Sequence, residues 1–481
     1  MAPGAIEHGP SAKRTRHDPD IDSTPAADME VDEAPAKRDV VYEDFEGYSP
    51  QLMQQFYRRL FPFPEMVRWL SYGHKKNPHP MYDENYLQRR EISMTLDGDI
   101  FVRYQSFKNA DEMAKTIRAR NPLKIDIGAV FNVDPAKRNA YSSFGAVERE
   151  LVFDVDMTDY DDVRTCCTGA DICKDCWPLM TIAIKVVDHI LREDLGYQHI
   201  LWVYSGRRGV HCWVCDEKAR KLTNEQRGAI TDYLKVYKGS ENNKEKKVSL
   251  QGSVLHPMLS RAYREVLLPA FLDQVLPRQN LLVNETQIDT LLAMIPDEEL
   301  AEEVKAKWRN GGRRASAHED ENLARWKDLE KIVIREKKRN IRLGHCLEEI
   351  VFAYTYPRLD LEVSKHMNHL LKAPFCVHPK TGKVCVPIDP ADCDNFDPMG
   401  VPTLASLLNE VQRFRGDLRE PAEEAAEAAL PTDLDKTSLK EAVQLFRTTF
   451  LDDLEADCKS DIERAYRAKK DELASRPTTG W

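Results

Sequence analysis

ELVFDVDMTD, residues 150–159, is the stretch on which the fold of this chain turns. As a strand it sends Phe153 and Val155 into a core and projects Asp154 and Asp156 together from the other face. Two residues advance about 6.6 Å along a strand, so leaning side chains can share cations held about 3.5–4 Å apart. Like charges this close are costly unless cations neutralise them. A solvated strand face on an acid-rich chain is the alternative. Leu151, Val152 and Phe153 weigh against it, because they mark a buried strand.

Just downstream, Cys166, Cys167, Cys173 and Cys176 place four thiols within eleven residues. Four thiolates suit a closed tetrahedral zinc site, which would fold the loop and leave no open position for catalysis. A redox C-x2-C with two bystanders is the competing view. Further on, HILWVYSGRRGVHCWVC reads as strand, turn, strand. Its turn holds Ser205, Arg207, Arg208 and His211, with Gly206 and Gly209 permitting close backbone approach. Paired arginines are poor hairpin-turn chemistry unless something holds them, and their planar forks suit phosphate oxygens.

Working outward, PQLMQQFYRRLFPFPEMVRWL is helical and punctuated by Pro62 and Pro64. REISMTL and DIFVRYQSF alternate about an Asp97-Gly98 turn and form a hairpin. Residues 178–193 form a helix with proline at its start. Helices and strands in this order predict an α+β unit rather than a doubly wound sheet. We expect a catalytic domain over 43–285 and 350–410, interrupted by a charged helical insertion over 286–349 that contains a flexible link, GGRRASAHEDE, at 311–321. Residues 1–42 lack large apolar side chains and are expected to be a disordered tail. Its basic cluster, Lys13, Arg14 and Arg16, is either a nuclear import signal or a solvated charge run. Residues 411–481 are expected to be helical and loosely ordered, with an Ala/Glu-rich loop around 420–430.

The 481 residues carry 69 Lys plus Arg against 80 Asp plus Glu, a net charge of −11. A globally basic nucleic-acid coat is therefore excluded, and any such contact has to be a local groove or be completed by a partner. No run of about 18 apolar residues exists to span a membrane. Eleven cysteines, two of them adjacent, fit a reduced chain with one metal site better than a disulfide framework. Tyr356-Pro357-Arg358-Leu359-Asp360 offers a third carboxylate, and Lys372 and His378 flank a Pro-Phe loop. Spacing alone gives these three residues no role.

Together these blocks resemble the small catalytic subunit of eukaryotic-type DNA primase, in the archaeo-eukaryotic primase superfamily. The likeness runs from about 48 to 400 and includes REISMTL…RYQSF, KIDIGAVF, SGRRGVHCW, SLQG and YPRLD…SK…NHLLK. It implies a mixed-sheet prim-fold catalytic core with a zinc-binding loop and an inserted α-helical subdomain. It also implies Asp154, Asp156 and Asp360 as ligands of two catalytic Mg²⁺ or Mn²⁺ ions, and Cys166, Cys167, Cys173 and Cys176 as ligands of one Zn²⁺. Ser205, Arg207, Arg208 and His211 match the triphosphate grip, and Arg103 and Lys372 match basic residues of the nucleotide site. Asp126 and His378 match ribose contacts, while Glu91 matches an acidic residue of unspecified role. Phe101 stands where the family carries tyrosine, which removes a hydroxyl. The implied activity is primer synthesis from ribonucleoside triphosphates on single-stranded DNA. The implied partners are a large subunit with an iron–sulfur domain and the DNA polymerase alpha complex, and the implied location is the nucleus. A repair-type primase-polymerase extending primers with deoxynucleotides, an inert zinc-bearing scaffold and a metal-dependent nuclease are the competing readings. The intact carboxylates disfavour the scaffold, and the arginine turn disfavours the nuclease.

Overall fold

Among the described residues, eleven strands carry the sheet structure. They are β1 (Arg90–Leu96), β2 (Ile100–Gln105), β3 (Lys124–Phe131), β4 (Ala146–Glu148), β5 (Leu151–Asp156), β6 (Ile200–Tyr204), β7 (Gly209–Val214), β8 (Tyr237–Lys238), β9 (Lys247–Val248), β10 (Leu371–Lys372) and β11 (Pro387–Ile388). The computed structural model describes residues 49–74, 81–238, 247–250, 252–309, 319–417 and 432–475. The tail with Lys13, Arg14 and Arg16, the link residues 311–318, Gln251 of SLQG and the Ala/Glu-rich loop lie outside the described residues.

The first sheet runs β10-β3-β1-β2 with β4 on β3, and the second runs β11-β6-β7-β5. Every pairing is antiparallel, so the mixed helix-and-sheet class stands and a doubly wound parallel sheet is excluded. The segment 371–388 joins the two sheets, giving β10 to the first and β11 to the second. The predicted hairpin is present, with Ile100 opposite Leu96 and Gly98 at φ 74° in the turn.

Alternation decides which way β5 faces. Leu151, Val152, Phe153 and Val155 are buried, while Asp154 and Asp156 stay partly open. Helix Pro178–His189 packs on β7 from the core side. Helices Pro50–Arg59 and Phe63–Leu70 break where Pro62 and Pro64 sit. Trp69 from the second of these meets Trp213 of β7 edge-on, with ring centroids 5.3 Å apart.

Helices run from Pro257, ahead of the insertion expected over 286–349. Within 257–282, Leu267, Phe271, Leu276 and Leu282 are buried while Arg264 and Glu265 are exposed. The region after 410, expected to be loosely ordered, is packed over residues 439–454. Helix Leu439–Phe446 places Phe446 against Trp69 and Phe375 at 6.1 and 5.5 Å. Arg447 pairs with Glu65, and Arg68 pairs with Asp452 at 2.8 Å. High overall charge hid a helical apolar stripe, Leu439, Val443, Phe446, Phe450 and Leu454, that is buried.

Candidate active site

β5 and β7 bring the first carboxylate to the arginine turn. Asp154 stands opposite His211, and Asp156 stands opposite Gly209. A side chain at 209 would begin 2.3 Å from the Val155 carbonyl oxygen, so only glycine lets the turn lie this close. Gly206, at φ 86°, closes the other side of the turn beneath His378. Arg208 Nε donates to both oxygens of Asp156 at 2.7 and 2.8 Å. His211 Nε2 lies 3.7 Å from Asp154 Oδ1, and its Nδ1 is buried.

The third carboxylate arrives from far along the chain. Asp360 N–H donates to the Asp154 carbonyl at 3.1 Å, and Asp360 then caps helix Leu361–Lys365. Ser364 Oγ donates to the Val152 carbonyl at 2.5 Å, a buried bond across 212 residues. Arg358 fixes the approach: its N–H meets Tyr160 Oη at 2.9 Å, and its guanidinium reaches the Asp159 carbonyl and Asp162. Burial, then the charges of Asp156 and Asp360, push the Asp154 carboxyl up to about 7.

Across the first sheet, Ser93 of β1, Asp126 of β3 and Lys372 of β10 lie side by side. Lys124 Nζ is 3.0 Å from Asp126, yet burial still raises the Asp126 carboxyl. Lys372 Nζ reaches over to the Ser205 carbonyl of the arginine turn. His378 sits on a loop tied to that turn by Thr381 Oγ1 donating to the Gly206 carbonyl at 2.6 Å. Burial and the surrounding Lys372, Arg207 and Lys380 charges pull His378 down to about 3. Burial with Lys372 and Lys124 does the same to His211, so both rings are neutral in a cationic basin. Arg103 is bidentate on Glu91, at 2.9 and 3.1 Å.

The structure thus gathers Asp154, Asp156, Asp360, Ser205, Arg208, His211, Asp126, Lys372 and His378 through a continuous set of contacts. Arg207 adds its charge beside His378. Lys124 and Thr381 went unread in the sequence, and Glu91 was marked by resemblance without a role, because nothing local marks a residue whose partner lies on another strand. Asp154, Asp156 and Asp360 fit cations by charge and convergence, not as a preformed cage, since Arg208 occupies Asp156. Among the described residues, the group whose ligand atoms all lie within 4.8 Å of one another is Cys166, Cys167, Cys173 and Cys176. Burial raises the Cys167 thiol to about 11, whereas N–H groups of Asp175 and Cys176 outweigh burial and lower Cys173. Gln279 braces the loop, accepting from Thr165 N–H at 2.7 Å and donating to the Asp175 carbonyl at 2.8 Å. All eleven cysteines are free thiols.

A family model described as DNA primase small subunit matches residues 153–390, from the paired aspartates past His378. The DNA primase small subunit of Schizosaccharomyces pombe is 40% identical over 368 residues, covering 76% of this chain and 78% of that one. This chain belongs to the DNA primase small-subunit family. The Drosophila melanogaster small subunit is 39% identical over 426 residues, covering 86% and 94%. That of Saccharomyces cerevisiae is 38% identical over 376 residues, covering 76% and 87%. A solved polymerase domain of Mycobacterium tuberculosis ligase D in complex with DNA gives a TM-score of 0.34 at 12% identity over 83% of this chain and 92% of that one, too slight a likeness to bear on the fold. Membership makes the chain a polymerase-type nucleotidyltransferase with a catalytic role. Among its described residues no helix is long and apolar enough to cross a membrane.

Proposed function

We propose that the chain synthesises short RNA primers de novo on single-stranded DNA for replication. The reaction joins ribonucleoside triphosphates by attack of a 3′-hydroxyl on an α-phosphate with loss of pyrophosphate. The observation that carries this reading is the hydrogen bond from Asp360 N–H to the Asp154 carbonyl, which sets a third carboxylate beside the β5 pair and opposite the arginine turn. Asp154, Asp156 and Asp360 would hold two Mg²⁺ or Mn²⁺ ions. Such ions, when bound, lower the pKa of an attacking hydroxyl and neutralise a leaving pyrophosphate. Arg207, Arg208, Ser205 and Lys372 bind the triphosphate. Neutral His211 offers it a ring N–H without adding to the crowded positive charge. Asp126 and His378 orient the ribose through its hydroxyls, and Arg103 steadies the nucleotide from the first sheet. Positioning and electrostatics dominate, because phosphoryl transfer asks little covalent chemistry of a protein.

The cysteine quartet would hold one structural Zn²⁺, and the two-sheet core would be the prim fold. A net charge of −11 leaves template grip weak and salt-sensitive. We therefore assign template grip and initiation to a large subunit with an iron–sulfur domain and to the polymerase alpha complex, in the nucleus. The test supplies single-stranded template, Mg²⁺ or Mn²⁺ and labelled ribonucleotides, without primer. Short RNA is expected from the native chain and none from a folded Asp154→Ala variant. Near-normal dinucleotide synthesis by that variant would remove the carboxylate assignment.

A further inference from the structure

Tyr104 carries a left-handed backbone, φ 59°, one residue before the end of β2. An aromatic residue adopts that conformation only where its surroundings over-determine it. The register shows why it occurs here. Ile92 faces Gln105 and Met94 faces Val102, so β1 advances two residues while β2 advances three. Arg103 and Tyr104 together oppose Ser93, which is a β-bulge, and bulges beside active sites re-aim side chains. The extra residue takes the Tyr104 N–H out of the ladder, and it donates to Glu91 Oε1 at 3.2 Å instead.

That carboxylate is fully buried, and it also accepts from Ser93 Oγ at 2.9 Å and from both arms of Arg103. A side chain at Gly128 would crowd Glu91 Oε2 at 3.0 Å, so the carboxylate has little room to retreat. The Tyr104 ring then lies 4.6 Å from the Arg103 guanidinium and 4.2 Å from that of Arg138. Phe131 and Phe144, stacked at 4.2 Å, meet the ring edge-on and hold it in place. Arg103 is therefore fixed twice, by a carboxylate in its plane and by a ring bound to the same carboxylate through its own backbone.

We propose that Tyr104 is a positioning residue for nucleotide binding. Its bulged backbone and its ring hold Arg103 in one rotamer facing the Asp126–Lys372 side of the first sheet. This inference rests on the reading of Arg103 as a nucleotide-site residue. A fixed guanidinium loses less freedom when it meets a triphosphate, so the effect falls on nucleotide affinity more than on the chemical step.

The test measures KM for the nucleotide and kcat on a primed template with the full chain. Tyr104→Leu should raise KM roughly fivefold and change kcat less than about twofold, while Tyr104→Phe keeps the ring and behaves as native. Arg103→Lys should raise KM, and adding Tyr104→Leu to it should raise KM no further. Unchanged KM in Tyr104→Leu, or additive effects in the double variant, would overturn the proposal. So would a fall in kcat alone that tracks a lower melting temperature. If Tyr104→Leu does not fold, Arg138→Gln, which removes the partly exposed brace on the ring, should raise KM by a smaller factor, and an unchanged KM there would refute it equally. Unchanged KM in Arg103→Lys would instead bring down the nucleotide-site reading of Arg103, and the inference with it.

Discussion

Replacing Glu150 by glutamine tests the foundation on which the aspartate strand stands. Glu150 is fully buried one residue before β5. It accepts from Arg90 Nη1 and Nη2 at 2.8 Å each, from Arg149 Nη1 at 2.7 Å and from Tyr72 Oη at 2.5 Å. Glutamine keeps the shape but turns one acceptor into a donor facing donors. It also strips a carboxylate from two guanidinium groups that have no exposure. Breaking a buried pair this way destabilises by about 3–5 kcal/mol. Unfolding entropy of about 2.1 cal/mol/K per residue over roughly 400 residues is about 0.8 kcal/mol/K, so the melting temperature should fall by about 4–6 °C.

The pH dependence carries its own sign. Burial alone would raise the Glu150 carboxyl, but the Arg90 and Arg149 charges overcome it and hold the group far below the carboxylate range. Its stabilisation is therefore complete above the unfolded value of about 4.3 and is lost only as pH falls through the depressed folded value. Melting followed by circular dichroism should show a gap between native and Glu150→Gln that is constant from pH 8 to about 5 and narrows in acid. A gap under about 1 °C at pH 7 would refute this account of the buried cluster.

Three further outcomes are expected. Because Asp154 holds a proton up to about pH 7, Mn²⁺ has to displace it. Affinity should rise with pH towards 7 and level off above, with close to one proton released at pH 6 by calorimetry in buffers of different ionisation enthalpy; a flat profile from 5.5 to 8 would count against it. Purified chain should carry one zinc per molecule, and Cys173→Ser should lose it and destabilise the 161–177 loop; full zinc retention in that variant would exclude the quartet. Phe446→Ala opens a gap against Trp69 and Phe375 and should destabilise by about 3–5 kcal/mol in urea, whereas a change below about 1 kcal/mol would show the C-terminal helices to be dispensable.

What the sequence made legible was local. Alternation from Phe153 to Asp156 fixed the facing of β5, two glycines marked the arginine turn, and four thiols within eleven residues named their own cluster. Asp360 was a different case, since spacing gave it no role and only resemblance singled it out. Its hydrogen bond to Asp154 joins segments that nothing local relates. The same limit left Glu91 without a role, since its partner Arg103 lies on the neighbouring strand beyond a turn. Composition misled at the C-terminal end, where surface charge disguised 439–454 as loose. Tertiary burial was the deciding fact there, and charge fraction reports only the exposed side of a helix.

The clasp between Arg447 and Glu65, residues 382 apart, sets an order on biosynthesis. At about 5–20 residues added per second, helix Phe63–Leu70 leaves the ribosome about 20–75 s before its covering helix exists. Through that interval Trp69 has no lid from Phe446, and the aspartate pair waits for its third member. On this timing the cover over Trp69 and the hydrogen bond from Asp360 to Asp154 are both completed late in synthesis, long after β5 has left the ribosome.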